Sequence, residues 1–384
     1  MVVKKPPMGW NSWNTFGYDI SEDLVREIAD VMVRDGYRDA GYEYLVIDDC
    51  WQEPVRGADG RLVPDRKKFP NGMKPVADYV HSKGLKFGIY SCAGVLTCEG
   101  FPGSYEHEFT DAAAFAEWGV DFLKYDYCFH PSGFDPATLY RRMGTALANC
   151  GRDILFSACS WGADETRKWV KSTGAHMWRA TGDLNDSVGG IREHAKMIDR
   201  DLKYSAEGSY ADFDMLVVGM FGKGNVGVGG CDAEIYRSHF TFWAQLGSPL
   251  FIGADIRSIA PEMREVLLDR EVIAVNQDEC LWQPYEIGGA GWWNPSECPV
   301  YCRLLSTGEL AIGIYNFGEH DQKLCTPLDR VGLSQGTGKT LVMRDLRTGE
   351  IETVLTGVHK TTVPAHSCKL YRCRVVDLDY GPLP

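Results

Sequence analysis

The sequence predicts a (β/α)8 TIM barrel followed by a small antiparallel β-sandwich, on three observations. From Met8 to about Asp255, short apolar runs alternate with segments of helical periodicity, giving eight strand–helix units of about 30 residues each. Conspicuous side chains gather at the carboxyl ends of those runs: Trp13, Asp48 and Asp49, Tyr90, Lys124 and Asp126, Ser160, Arg179 and Asp183. In a parallel barrel these ends open on one face, where barrel active sites are built. After Asn276-Gln277-Asp278 the pattern changes to short alternating runs separated by turn residues, the mark of an all-β unit. The chain therefore divides into a barrel over 1–282 and an antiparallel β domain over 283–384.

Residues 8–13 read as the first strand. Ser21 is a helix N-cap, with Glu22 and Asp23 in the first turn, where the helix dipole favours anions. Leu24, Val25, Ile28, Val31 and Met32 follow at helical spacing, and Gly36 closes the helix. The second strand spans 42–49, and Val76, Ala77 and Val80 mark a helix ending at Lys83-Gly84. The third strand is 86–91; Thr110 then caps a helix running to Trp118-Gly119. Strands at 121–128, 154–160, 176–181, 210–214 and 248–255 complete the barrel. The β domain takes 300–305, 310–315, 339–343, 361–364 and 369–374; it carries no chemical motif, so packing support is its default role.

Bulk composition excludes several classes. A net charge of −13 argues against nucleic acid, because phosphate binding needs clustered Lys and Arg. No run of about 18 apolar residues exists, so no membrane span is predicted. The nine histidines form no HxH or HExxH pattern and the thirteen cysteines no CxxC pair, so no metal and no cofactor is expected. Thirteen is odd, which leaves at least one thiol free or bonded between chains. The start lacks an apolar h-region, an expectation of a cytoplasmic rather than a secreted protein. Eleven tryptophans and eighteen tyrosines supply faces that suit sugar rings and protein cores equally.

The chain has no glycine-rich phosphate loop after its first strand and no GxSxG elbow. Its focus is Asp121-Phe-Leu-Lys124-Tyr-Asp126-Tyr-Cys128. Side chains two apart on a strand share a face, so Lys124 and Asp126 look into one space. A structural ion pair would explain them in isolation; the other strand ends argue for a working site. Two barrel chemistries fit the rim: a Schiff-base aldolase using Lys124, and glycoside hydrolysis by two carboxylates. With Asp126 beside it the lysine is paired and stays charged, a poor Schiff-base nucleophile, which favours the glycosidase. Asp183 taken alone reads as an N-cap of the following helix, and Asp186 and Asp201 as solvated acids.

The motifs Met8-Gly-Trp10-Asn-Ser-Trp13, Asp39-Ala-Gly-Tyr-Glu-Tyr-Leu-Val-Ile-Asp48-Asp49-Cys50-Trp51 and Leu123-Lys124-Tyr125-Asp126 resemble the melibiase family. This is glycoside hydrolase family 27, which holds α-galactosidases and α-N-acetylgalactosaminidases. Further matches are 97–104, Trp178-Arg179 through Asp183, Asp212-Phe-Asp214-Met215-Leu216 and Pro249 through Asp278. The resemblance covers roughly residues 6 to 280. It implies a retaining double displacement, with Asp126 as nucleophile and Asp183 as general acid and then base. It also implies that Lys124 binds a sugar hydroxyl, that Asp48 and Asp49 grip the hydroxyls marking a galacto sugar, and that Trp13 and Tyr90 wall the ring. Arg179 would add a polar contact, with Trp10 and Asp214 as weaker candidates. The family's substrate-loop disulfide maps onto Cys98 and Cys128; its bridge from Cys50 to an upstream cysteine is missing, since no cysteine precedes position 50.

The sugar's 2-position maps onto Cys159-Ser160-Trp161-Gly162-Ala163-Asp164. Typical α-galactosidases of the family carry Cys-Glu-Trp and a bulky residue here, whereas the N-acetylgalactosaminidases resemble serine and alanine. Ser160 and Ala163 follow the second pattern, although Asp164 stands where that pattern has tyrosine. The resemblance therefore implies an exo-acting α-N-acetylgalactosaminidase on glycans ending in an α-linked galacto-configured sugar. An α-galactosidase is the first alternative and a β-L-arabinopyranosidase a more distant one. A non-catalytic sugar-binding barrel is disfavoured because both carboxylates are present.

Overall fold

The computed structural model describes residues 3–280, 282–288, 295 and 297–378. Eight parallel strands form one sheet: β1 (Met8–Asn11), β2 (Tyr44–Val46), β3 (Lys86–Cys92), β4 (Phe122–Asp126), β5 (Leu155–Cys159), β6 (Met177–Arg179), β7 (Tyr210–Asp212) and β8 (Leu250–Ile252). They pair in sequence order, with β8 beside β1. The ring closes where the chain after β7 meets β8: Leu216 bridges Ile252, its N–H donating to the Phe251 carbonyl at 2.7 Å.

The barrel is plugged. Tyr44, Val46, Phe122, Leu155, Met177, Tyr210 and Phe251 form one buried cluster contributed by six strands. The rings of Tyr44, Phe122 and Phe251 lie 5.3 to 6.5 Å apart, although β2, β4 and β8 do not neighbour one another. Only the barrel interior lets such strands meet. Strand periodicity then fixes what stands above the plug. Two residues on from Phe122 is Lys124, and two further is Asp126; Met177 leads to Arg179 and Tyr210 to Asp212. Apolar residues fill the amino-terminal half of the barrel, and charges crown it.

Helices wrap the outside. Glu22–Arg34 begins at Ser21, whose hydroxyl accepts from the Leu24 N–H as predicted. Most strands are shorter than the apolar runs suggest, and two ends differ for a visible reason. Strand β1 stops at Asn11, because its side-chain carbonyl accepts from the Trp13 N–H at 2.8 Å and turns the chain into a helical turn over Trp13–Phe16. The third long helix starts at Glu108 with His107 before it, so Thr110 lies inside its first turn and caps nothing.

From Tyr285 onward the described chain is antiparallel β. A six-stranded sheet contains Val300–Leu304, Leu310–Tyr315, Lys339–Asp345 and Cys368–Asp377, and Gln322–Pro327 pairs with Val358–Val363 in a second sheet. This unit packs on the barrel helix Ala233–Leu246. Gln245, fully buried, donates to the Tyr301 and Ala311 carbonyls and accepts from the Tyr315 hydroxyl at 2.8 Å.

Gly9 marks the tightest point of the plug. A Cβ there would stand 2.5 Å from the Tyr44 carbonyl oxygen and 2.7 Å from the Phe251 ring. Overpacking of this kind costs about 1–3 kcal/mol. Gly9→Ala should lower the denaturant midpoint accordingly, and an unchanged midpoint would show that the barrel interior is looser than described.

Candidate active site

A cavity of about 170 Å³ opens at the carboxyl ends of the strands. That is below the usual range of about 300–1,000 Å³ for drug-sized ligands, and suits a single sugar ring. Its walls include Trp13, Asp48, Asp49, Tyr90, Lys124 and Asp126 on one side and Trp161, Arg179, Asp183 and Asp214 on the other.

The floor is set by Asp48, which is 2% exposed. Its Oδ2 accepts from Lys124 Nζ at 2.8 Å and from Asn11 Nδ2 at 2.7 Å, and its Oδ1 accepts from the Asp49 N–H. The partner of Lys124 is thus Asp48 rather than Asp126, a correction to the same-strand pairing. Residues two apart on a strand share a face, but an ion pair goes to the carboxylate whose geometry allows contact, here one supplied across the barrel by the end of β2. Burial works to lower the Lys124 pKa, but the charges of Asp48 and Asp126 more than offset it, so the ammonium stays charged. A charged amine excludes Schiff-base chemistry at this lysine.

Asp126 has no cation in contact; the Cys159 thiol and the Tyr90 hydroxyl are the side chains that hydrogen-bond toward it. It is 6% exposed, its Oδ1 makes no hydrogen bond, and its Oδ2 lies 3.6 Å from Cys98 Sγ. That sulfur is bonded to Cys128 and has no proton to donate. Burial raises the Asp126 pKa, with the Lys124 charge pulling it back. When ionised, such a sparsely hydrogen-bonded carboxylate is a strong nucleophile. The Cys98–Cys128 bridge joins the loops after β3 and β4, holding them together directly over this group. Cys50 is buried and forms no disulfide.

Asp183 follows β6 and its side chain is 78% exposed at the mouth. Arg179, 4% exposed, holds it by a 2.7 Å bond from Nη2 and holds Asp214 by a 2.9 Å contact from Nη1. The protein around the mouth pushes the Asp183 carboxyl up, and Arg179 outweighs that and keeps it below its ordinary value. Asp183 does not cap the next helix; Ser187 does, through its hydroxyl to the Gly190 N–H. Asp214 spends its oxygens on the Leu184 and Met215 N–H groups as well as on Arg179, so it positions the wall.

Asp49, 1% exposed, accepts from the Cys50 and Glu99 N–H groups, and burial raises its pKa to about 6. Tyr90 and Trp13 line the cavity as expected. Trp10 does not: it is fully buried, and its indole N–H donates to the Ala254 carbonyl. Ser160 is also fully buried, with its Oγ 2.7 Å from Thr166 Oγ1, and neither it nor Ala163 is on the cavity wall. The side chain from that stretch which reaches the cavity is Trp161, whose backbone sits at φ 53°. Asp186 and Asp201 are buried rather than solvated, at 0% and 2% exposure, with Asp201 paired to Arg167 and Arg200.

Sequence reasoning missed Asn11, Trp161 and Val226. Asn11 lies inside the first recognised motif and Trp161 between the two residues chosen for the sugar's 2-position. Val226 lies in a glycine-rich loop with no local signal. It also missed Asp212, 8% exposed beneath Arg179, whose pKa burial raises to about 6.

Residues 5–278 match the melibiase family described as alpha galactosidase A, and 296–373 match the alpha galactosidase C-terminal beta sandwich domain. An alpha-galactosidase of Cyamopsis tetragonoloba is 41% identical over 367 residues, 95% of this chain and 85% of that one. The crystal structure of alpha-galactosidase I from Mortierella vinacea superposes with a TM-score of 0.87 at 32% identity, covering 97% of each chain. The alpha-galactosidase from Saccharomyces cerevisiae solved with raffinose gives a TM-score of 0.84 at 28% identity, over 97% of this chain and 98% of that one.

The raised pKa of Asp212 has a consequence for stability. A carboxyl whose folded pKa lies near 6, against an ordinary 3.8, favours the fold at low pH and loses that contribution as pH rises through about 6. Asp212→Asn should therefore stabilise the protein more at pH 7 than at pH 4, by up to about 3 kcal/mol. Thermal denaturation at the two pH values measures it; equal effects at both would show that Asp212 is not strained by its charge.

Proposed function

The chain belongs to the melibiase family of glycoside hydrolases, and on that premise we propose that it is a retaining exo-α-galactosidase, releasing terminal α-linked galactose. The observation that carries the reading is the pairing within the cavity: Lys124 with Asp48 and Arg179 with Asp183 and Asp214, so that Asp126 faces the sugar unpaired. Asp126 attacks the anomeric carbon while Asp183 protonates the departing glycosidic oxygen, and the C1–O bond breaks as the C1–Oδ bond forms. In the second step Asp183 takes a proton from water, whose oxygen attacks C1 and displaces Asp126. Two inversions give retention. Asp48, Asp49 and Lys124 hold the ring hydroxyls, and Trp13 and Tyr90 wall the ring. A cavity sized for one sugar supports exo action, and raffinose, which the Saccharomyces relative was solved with, is a fitting substrate class.

Galactose displaces the N-acetylgalactosamine favoured by Ser160 and Ala163. Relatives covering nearly the whole chain bear the name alpha-galactosidase. The Ser160 hydroxyl, spent on Thr166, is not offered to an acetamido group. The N-acetylgalactosaminidase remains the second reading, supported by the small residues at both positions.

Comparing kcat/KM on aryl α-galactoside and aryl α-N-acetylgalactosaminide separates the two. The galactoside should win, and a ratio favouring the acetamido sugar would overturn the choice. Asp126→Asn should abolish turnover while leaving the fold intact, and near wild-type activity would remove it as nucleophile. The pH profile follows from the two carboxyls. Catalysis needs Asp126 ionised and Asp183 protonated, whereas in the free protein burial raises Asp126 and Arg179 holds Asp183 down, so the productive form is the minor arrangement of the state in which the two carboxyls hold one proton. The kcat/KM bell should therefore lie on the acid side of neutrality, falling at high pH as the shared proton is lost and at low pH as both carboxyls protonate. An optimum above about pH 7 would contradict these assignments.

A further inference from the structure

Asp186 is a carboxylate at 0% exposure with no lysine or arginine bonded to it, a costly arrangement unless its position matters. Its Oδ1 accepts from the Tyr236 hydroxyl at 2.8 Å and its Oδ2 from the Gly222 N–H at 2.6 Å. The Tyr236 oxygen in turn accepts from the Phe221 and Cys231 N–H groups, the two ends of a glycine-rich hoop over 221–231. Five of the eleven residues of this hoop are glycine and carry no side chain to pack. A Cβ on Gly227 would stand 2.4 Å from the Gly222 carbonyl oxygen, and one on Gly230 would stand 2.5 Å from the Gly222 nitrogen, so backbone lies directly on backbone. Its shape therefore depends on the Asp186–Tyr236 anchor inside it.

Two parts of the active site hang on that anchor. Val226, at the middle of the hoop, lines the cavity, and its carbonyl accepts from the Asp186 N–H at 3.0 Å. Asp183 stands three residues before Asp186 on a segment tied down at Leu184 by Asp214 and at Asp186–Ser187 by parallel pairing with Gly227–Gly230. Among the described residues, the exposed Asp183 side chain bonds to Arg179 alone. The backbone is held before Asp183 at the Gly182 carbonyl by Arg179 and His194, and after it by Asp214 at Leu184 and by the hoop at Asp186.

We propose that Asp186 is a positioning residue for proton transfer: through Tyr236, Gly222 and the hoop it fixes the Asp183 segment against the Val226 wall, so that the acid meets the glycosidic oxygen. This rests on the reading of Asp183 as the general acid. Misplacement of a reacting group by about 1 Å can cost about a hundredfold in rate, and the loss should be felt only where the leaving group needs a proton.

The test is kcat/KM, which reports the bond-breaking half-reaction, on two substrates: melibiose, whose alkoxide leaving group needs protonation, and 2,4-dinitrophenyl α-galactoside, whose leaving group does not. Asp186→Asn should lose about tenfold to a hundredfold on melibiose and less than about threefold on the dinitrophenyl substrate, and its basic pH limb should shift. Asp183→Ala, as control, should show the same split more strongly. Equal losses on both substrates, or no loss on either, in Asp186→Asn would overturn the proposal while leaving Asp183 as the acid if its own variant still shows the split. Absence of the split in Asp183→Ala would instead remove the acid assignment. Should Asp186→Asn not fold, Tyr236→Phe, which keeps the ring packed on Phe221 and removes the hydroxyl, is measured in its place with the same outcomes.

Discussion

The ion pair between Lys124 and Asp48 is the constraint from which the active site follows. The cavity and its floor gather Asp48, Asp49, Asp126, Asp183, Asp212 and Asp214, with Lys124 and Arg179 as the cations beside them. Two positive charges cannot neutralise that many carboxylates. By committing Lys124 to Asp48 and Arg179 to Asp183 and Asp214, the fold leaves Asp126 and Asp49 on the cavity wall, and Asp212 beneath it, without a cationic partner in contact. Buried carboxylates left this way are unstable, and in the proposed mechanism a substrate relieves the two on the wall by supplying an electrophilic carbon to Asp126 and hydroxyl donors to Asp49.

That arrangement needs a rigid support. The plug of Tyr44, Phe122, Phe251 and their neighbours supplies it from below, a buried apolar layer under the charged one. The Cys98–Cys128 bridge braces the loops from above, and the β domain, locked to the helix Ala233–Leu246 by Gln245, braces the same helix that carries Tyr236. A line of contact therefore runs from the β domain through that helix to Asp186 and the segment that carries Asp183.

The barrel was legible because its signals are local. Alternation within a strand places Phe122, Lys124 and Asp126 on one face whatever surrounds them, and Ser21 with Glu22 and Asp23 announces a helix by itself. Contacts between distant strands were less legible. The partner of Lys124 is supplied by β2, and alternation favoured the nearer Asp126. Asp186 and Asp201 look like surface acids in the chain and are buried by partners remote in sequence, Gly222 and Tyr236 for the first and Arg167 for the second. Ser160 shows the same limit. Its identity suggested a wider pocket, yet its hydroxyl turns to Thr166, and the neighbouring Trp161 meets the cavity through an unusual positive φ that no composition rule announces.

The central claim is that Asp126, freed by the Lys124–Asp48 pair, forms a covalent bond to the sugar. An activated fluorinated galactosyl donor whose hydrolysis step is slow would accumulate that intermediate, and mass spectrometry of the digested protein would locate it. The account predicts one galactosyl adduct, on the peptide containing Asp126, with activity returning as the adduct is released. An adduct on Asp183, Asp49 or any other carboxylate, or inactivation with no adduct, would contradict it.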